Sequence, residues 1–495
     1  MTPLLVIIVI ILAILVSIPE IRNYFLLHWK LRNLPVLKGV PLLGSAAYFF
    51  LRKQEDYLQI LQDISKDENG PARFYLGPYF TVVISTPEDV KTLTTSNSCL
   101  DKMSFYRFYR CAYGLVTAPV PMWKIHRRLL TPSFSSQALR TFVPIFNDKA
   151  KTLLANLDKA VDCSDRDFLK YIFYCTLEMI CETTLGYNID VQNGKNLDYF
   201  KAVEAVTEIV GSRVFKFWYY PDVIYERTKA YAVEKMYFDI AYKLSSRLIA
   251  EKKQEYNAET FHGNSEILIQ KLLKFLLAGE LTEQEVQDEV DTMIATGHDT
   301  SALTLSNTLL MLAIHQDIQQ KVLEEIMSVN PIPDAYVSFE DTLQFTYMEM
   351  VIKETLRHFP IVPMAGRHCM EDTKFSSVVI PKGTNFLLFI YQLHRRQEVW
   401  GPRVNEFYPE HFTPDNVGKR HPYSYIPFSS GLRNCIGRKY AFISMKIILG
   451  IILKNFRVTA DGLTMADLKP SMFTTIRIKQ IDRIRIERRN MAQNL

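Results

Sequence analysis

With 495 residues, 48% of them hydrophobic and 22% charged, the chain has the composition of an ordinary globular protein, which excludes a disordered or low-complexity chain. A formal charge of +5 at pH 7 is too small to argue for nucleic acid as a partner, and no repeat or linker-like tract divides the sequence, so one large core is expected. The seven cysteines are widely spaced, odd in number and without a C-x-x-C pair, which argues against a disulfide framework and against a zinc site built from close spacings.

Residues 3–18 form an uncharged apolar run, slightly short for a membrane span, followed by Arg22, Lys30, Arg32 and Lys38. A cleaved secretory signal and a retained anchor are the two readings. Positive charge after the run rather than before it, and a poor cleavage site at 17–20, favour the anchor, with the rest of the chain on the cytoplasmic side. The aromatic stretch 24–29 extends the anchor into the interface. The expected organisation is an anchor at 1–29, a proline- and glycine-containing hinge at 30–45, and a catalytic body at 46–495.

Apolar spacing predicts a helix over 54–66, then two short strands around the turn at Gly77 and Pro78. Helical patterns dominate from there to about residue 360. The longest, 282–315, opens with a capping box of Thr282 and Glu285. Its middle, T-G-H-D-T-S at 296–301, places a glycine costing about 1 kcal/mol and two indifferent helix formers between apolar turns. Because the residues after Ser301 are apolar on all sides, a functional kink is expected there. Short strands return over 374–393 and 473–487. The expected fold class is mainly α with a minor β portion.

The stretch 427–441, PFSSGLRNCIGRKYA, leaves three readings of Cys435: an inert buried cysteine, a nucleophile, or a metal ligand. A nucleophile wants a histidine base, and no local context supplies one. A thiolate on haem iron wants amide donors near the sulfur, an apolar shield and a cation for a propionate. The glycines, Phe428 and Arg433 suit those needs, and a helix starting near Ile436 would turn its positive end to the sulfur.

The pattern Phe428, Gly431, Arg433, Cys435, Gly437 resembles the haem-binding signature of the cytochromes P450. Other segments carry the same resemblance. Glu354 and Arg357 match the family's E-x-x-R pair on one helical face. P-E-H-F at 409–412 stands where the family has P-E-R-F, so His411 replaces a permanent five-donor fork and predicts a looser or pH-sensitive network. Trp123 and Arg127 match W-x-x-x-R, and Arg367 resembles a further propionate partner. T-G-H-D-T-S is similar to the oxygen-activation motif, with Asp299 relaying protons and Thr300 hydrogen-bonding dioxygen. The wording of that motif and of 123–134 is closest to the family-4 clan, including its insect members. Thr296 stands where many of them carry a glutamate that esterifies the haem, so non-covalent haem is implied apart from the Cys435–iron bond.

The resemblance implies the cytochrome P450 fold, haem b, and a monooxygenase using O2 and electrons from NADPH. The chain has no P-loop, no dinucleotide fingerprint after a strand and no iron–sulfur spacing, so a separate NADPH–cytochrome P450 reductase is implied, with cytochrome b5 as a second candidate donor. Lys124, Arg127, Arg128, Arg438, Lys439 and Lys446 offer a basic docking face. An apolar substrate, fatty-acid-like, hormone-like or xenobiotic, is expected to meet 103–120, 215–220, 361–365 and 472–475, the second of which could equally enter a membrane. The implied location is the endoplasmic reticulum membrane. Two rivals stand beside this reading: an electron-independent haem-thiolate isomerase or dehydratase, and a non-enzymatic haem-binding protein.

Overall fold

The longest helical pattern forms the α-helix Glu283–Ile314 in a computed structural model that describes residues 19–40, 43–50, 52–65, 69–162, 167–256, 267–332 and 336–489. The helix opens on the expected capping box of Thr282 and Glu285 and is buried on nearly every side. It packs chiefly on the helix Lys170–Leu185, inside the largest apolar cluster of the molecule. No residue of 296–301 leaves the helix, so the expected kink is not a break. Gly297 is instead a packing notch, since a Cβ there would lie 2.8 Å from Ile180 Cδ1. The hydroxyls of Thr300, Thr304 and Thr308 donate to carbonyls one turn earlier, which satisfies them inside the protein.

Around this central helix stand Ser136–Asp162, Leu197–Phe215, Lys229–Glu255, Gln316–Val329, Thr346–His358 and Arg438–Asn455. The β portion is small. Ala72–Leu76 and Tyr79–Ile84 form the expected hairpin around Gly77, whose φ of +58° suits glycine. Tyr79–Ile84 continues parallel to Asn385–Phe389, which pairs antiparallel with Met364–His368 in a register that sets Arg367 opposite Phe386. Three two-stranded pairs complete it, among them Pro470–Met472 with Ile476–Ile478.

The segment read as a hinge does not stand apart from the body. Leu31, Leu34 and Leu37 are buried, the Leu37 N–H donates to the Arg73 carbonyl, and the Arg73 guanidinium returns to the carbonyls of Leu34 and Arg32. These apolar side chains and the free edge of the Ala72–Leu76 strand bind the segment to the sheet. The apolar run 3–18 lies outside the described residues. Among the described residues no helix is long and apolar enough to cross a membrane.

Candidate functional site

The Cys435 loop turns on two left-handed residues, Ser429 and Gly431. The Cys435 N–H closes it by donating to the Phe428 carbonyl at 2.9 Å, and Arg438–Asn455 starts immediately afterwards with Gly437 as its N-cap. Burial pushes the Cys435 thiol up, while the Gly437 amide, Arg127 and Arg438 draw it down. A Cβ at Gly431 would fall 1.8 Å from the Thr94 carbonyl oxygen, so this glycine also lets the loop dock on the helix Pro87–Thr95. The Phe428 ring lies 5.6 Å from that of Phe442, beside the cysteine.

Four cations gather beside this loop. Arg433 is buried, stacks at 4.4 Å over the ring of Trp123 and donates to the Ala118 carbonyl, yet its Nε has no partner. Arg127, one turn beyond Trp123 on Val120–Leu130, donates to the backbone and side-chain oxygens of Asn434 at 2.8 and 2.7 Å. Arg367 reaches only its neighbour's carbonyl, that of Gly366. Lys102, which sequence reasoning missed, completes the group: burial and the charges of Arg367 and Arg433 hold it well below the usual lysine range. Burial and Arg367 likewise lower Arg433 to about 9. Clustered, desolvated cations without a paired carboxylate describe a place for an anion.

Cys435 and these cations border a cavity of about 490 Å³ that also takes in Thr300, Asp299 and Gly297 of the central helix. Cys435 is open to this internal space, although it lies deep in the protein. The Thr300 hydroxyl donates to the Thr296 carbonyl at 2.8 Å, so its own oxygen keeps acceptor capacity. Asp299 accepts from the Thr475 hydroxyl at 3.1 Å and faces Arg477 at 3.4 Å. Arg477 in turn lies 3.7 Å from Glu204, whose carboxyl is raised to about 7 by burial against the pull of Arg477. His298 is fully buried beside Asp299, and burial lowers its imidazole below the usual histidine range.

The E-x-x-R pair lies behind the site, with both side chains at 0% exposure. Arg357 grips Glu354 through Nε and Nη2 at 2.9 and 2.7 Å and donates to the carbonyls of Val404 and Glu406. His411 reaches the same carboxylate at 3.1 Å, and the Tyr408 N–H at 3.0 Å. Burial opposes ionisation of Glu354, but hydrogen bonds from His358, His411 and Arg357 hold it well below the usual carboxylate range. Glu354 is thus held from several sides, with His411 supplying a single contact through Nδ1. A cation arrives from elsewhere: Arg420 stacks at 4.3 Å over Trp400 and donates to the His411 carbonyl. Nothing in the spacing of the sequence marks Arg420 for that place.

Each of the four segments expected to meet substrate reaches the cavity in part, through Phe105, Tyr109, Phe215, Tyr220, Ile361 and Thr474 among others. Trp218 points away and packs on Phe50. Of the expected basic face, Lys124, Arg128, Arg438 and Lys439 are exposed. Lys446 is not part of it, because its ammonium is buried against Glu349 and the Thr342 carbonyl.

A thiol facing a large, mostly apolar cavity, with unneutralised cations at the same end, fits an anionic planar macrocycle held through its iron. A family model described as Cytochrome P450 matches residues 34–481. The chain is 32% identical to "Cytochrome P450 4V2" of Homo sapiens, covering 90% of this chain and 88% of that one. It is 31% identical to "Probable cytochrome P450 313b1" of Drosophila melanogaster (94% and 96% covered) and 29% identical to "Cytochrome P450 4c3" of the same fly (87% and 84%). The chain belongs to the cytochrome P450 family. It is accordingly a haem-thiolate monooxygenase, an oxidoreductase, and its relatives are family-4 and insect proteins, as the motifs implied.

Proposed function

We propose that this protein hydroxylates or epoxidises an apolar substrate, fatty-acid-like, hormone-like or xenobiotic, using O2 and electrons from NADPH through a separate reductase, with cytochrome b5 as a further donor. The observation that carries the proposal is the opening of Cys435 onto the same internal cavity as Thr300, beside the cations of Lys102, Arg127, Arg367 and Arg433. Cys435 would supply the thiolate that holds the haem iron. Phe428 shields the sulfur and the Gly437 amide is directed at it. Arg433, Arg367, Arg127 and Lys102, with Trp123 as a stacking platform, hold the propionates.

Haem iron, when bound, supplies dioxygen activation, and the thiolate pushes electron density toward it. The chain's own residues supply position and protons. Aromatic and aliphatic walls exclude water and hold the substrate. Asp299, positioned by the Thr475 hydroxyl and Arg477, is the residue through which protons would be relayed, and Thr300 presents a hydroxyl that can pass them into the cavity. Thr296 carries no carboxylate, so the haem is held without an ester bond.

The same reading puts the catalytic body on the cytoplasmic side of the endoplasmic reticulum membrane, anchored through residues 3–18. Exposed Phe25 (59%), Trp29 (62%) and Phe50, together with Val223 and Ile224, support membrane contact, and the edge-to-face pair Phe50–Trp218 ties the two parts of this surface together. Exposed Lys124, Arg128, Arg438 and Lys439 suit an acidic flavoprotein. Reductase-supported turnover should therefore fall as salt rises.

The deciding experiment is the carbon monoxide difference spectrum of the reduced protein in membranes, beside Cys435→Ala. A red-shifted Soret band that the variant lacks supports the assignment. Folded wild-type protein without the band would overturn it.

A further inference from the structure

Six charged side chains line the cavity: Lys102, Arg127, Arg367, Arg433, Asp299 and Asp291. The four cations cluster at the Cys435 end, where haem propionates would neutralise them. Asp299 has Arg477. Among the described residues Asp291 has no partner of opposite charge: its carboxylate accepts from Gln287 Nε2 at 2.8 Å and from the Ser245 hydroxyl, both neutral donors.

Other groups around Asp291 are neutral or acidic. From the loop at 110–117 comes Cys111, whose thiol is pushed up by burial and then by Asp291 and Asp288. From Leu197–Phe215 comes Tyr199, raised by burial with a contribution from Asp291. Asp288 on the same helix is a further acid, capped by the Tyr113 N–H and Gln284. Arg110, next to Cys111, is committed to Glu234 at 2.7 Å. The Asp291 carboxyl is raised to about 7, chiefly by burial, as an acid kept from both water and a cation should be.

Asp291 lies nine residues before Thr300 on one continuous helix, roughly 13 Å along its axis at about 1.5 Å per residue. Asp291 and Thr300 line the same mostly apolar cavity but, two and a half turns apart, leave the helix on opposite sides of it, so a ligand that meets both must carry its charge at one point and have enough apolar length to reach the other.

We infer that Asp291 is the substrate's polar anchor, and that the cavity takes a lipophilic cation, an apolar chain or ring system bearing a protonated nitrogen, in preference to a fatty carboxylate. The inference rests on the monooxygenase reading of the cavity and narrows its substrate class. A carboxylate head would meet Asp291 with like charge and no cation to offset it. A cationic head pairs with it and presents the distal apolar carbons to the Thr300 end.

The test is calorimetric titration of the haem-loaded full chain in non-ionic detergent, at about pH 8 so that Asp291 is mostly ionised. The probes are decyltrimethylammonium, which cannot ligate iron, decanol and decanoate. Wild-type protein should bind the cation about ten-fold or more tighter than decanoate. Asp291→Asn should abolish most of that preference and leave decanol unchanged. Asp291→Glu, which keeps the charge, should retain it even if the Asn variant does not fold. Decanoate binding as tightly as the cation, binding of none of the three, or an undiminished preference in Asp291→Asn would overturn the assignment. A preparation that shows the cation preference but lacks the thiolate carbon monoxide band would instead refute the monooxygenase reading and leave the anchor standing.

Discussion

Arg477, carried in by the C-terminal hairpin, faces Asp299 at 3.4 Å and shares its guanidinium with Glu204 at 3.7 Å. Glu204 is thus linked to the acid of the T-G-H-D-T-S motif, and its own carboxyl titrates at about 7 instead of 4.5. A carboxyl whose folded value is raised binds more protons in the folded state between those two values. Its stabilising effect is therefore complete below about 4.5 and is lost as pH rises through about 7. Glu204→Gln should match wild type in thermal midpoint near pH 5 and exceed it near pH 8, by on the order of 2 kcal/mol. Equal midpoints at both pH values would remove Glu204 from the buried network.

Thr300→Ala should keep the thiolate spectrum and lower the fraction of NADPH converted to product, because the cavity loses its hydroxyl while the helix keeps its course. Thr300→Ser should restore most of the coupling. Parallel measurement of NADPH consumption and product settles it, and unchanged coupling in the alanine variant would exclude Thr300 from proton delivery.

Arg420 and His411 should be energetically coupled. Arg420→Ala removes the nearer of the two guanidinium groups over Trp400, leaving that of Arg357, and should cost about 1–3 kcal/mol. His411→Arg alone brings a second guanidinium toward Arg420 and should also destabilise. The double variant should be more stable than the sum of the two by about 1 kcal/mol or more. Denaturant midpoints of the four proteins give the cycle, and strict additivity would show that Arg420 does not stand in for the missing arginine.

Two glycines separate backbone demand from packing demand. Gly431→Ala forces a side chain into φ +69° and against the Thr94 carbonyl, and should abolish stable haem incorporation. Gly297→Ala costs no backbone strain but brings a Cβ to 2.8 Å from both Cδ1 and Cγ1 of buried Ile180, so folding should survive with a loss of about 1–3 kcal/mol. Absorbance at the Soret band per unit of protein distinguishes them.

Motifs in which the spacing itself performs the chemistry were legible in the chain. The capping box at Thr282, the hairpin at Gly77 and the E-x-x-R face depend on residues a few positions apart, and the structure forms each, while Trp123 and Arg127 share the helix Val120–Leu130. The kink drawn from Gly297 was a local reading of propensity. It failed because the buried setting of the central helix supports that stretch more strongly than one glycine weakens it. Lys446 looked like surface charge until Glu349 and the Thr342 carbonyl, over ninety residues away in the chain, enclosed it.

By itself, the sequence determined the family and the mainly helical class, because these follow from residue types at short fixed intervals. Partnerships across the chain belonged to the tertiary structure. Lys102 joins Arg367 and Arg433, Arg420 stacks on Trp400 beside His411, Arg477 faces Asp299, and Asp291 has no cation among the described residues. Whether a charge is neutralised, buried or exposed depends on which distant segments fold against it. Electrostatic interaction falls with distance through space, whatever the distance along the chain.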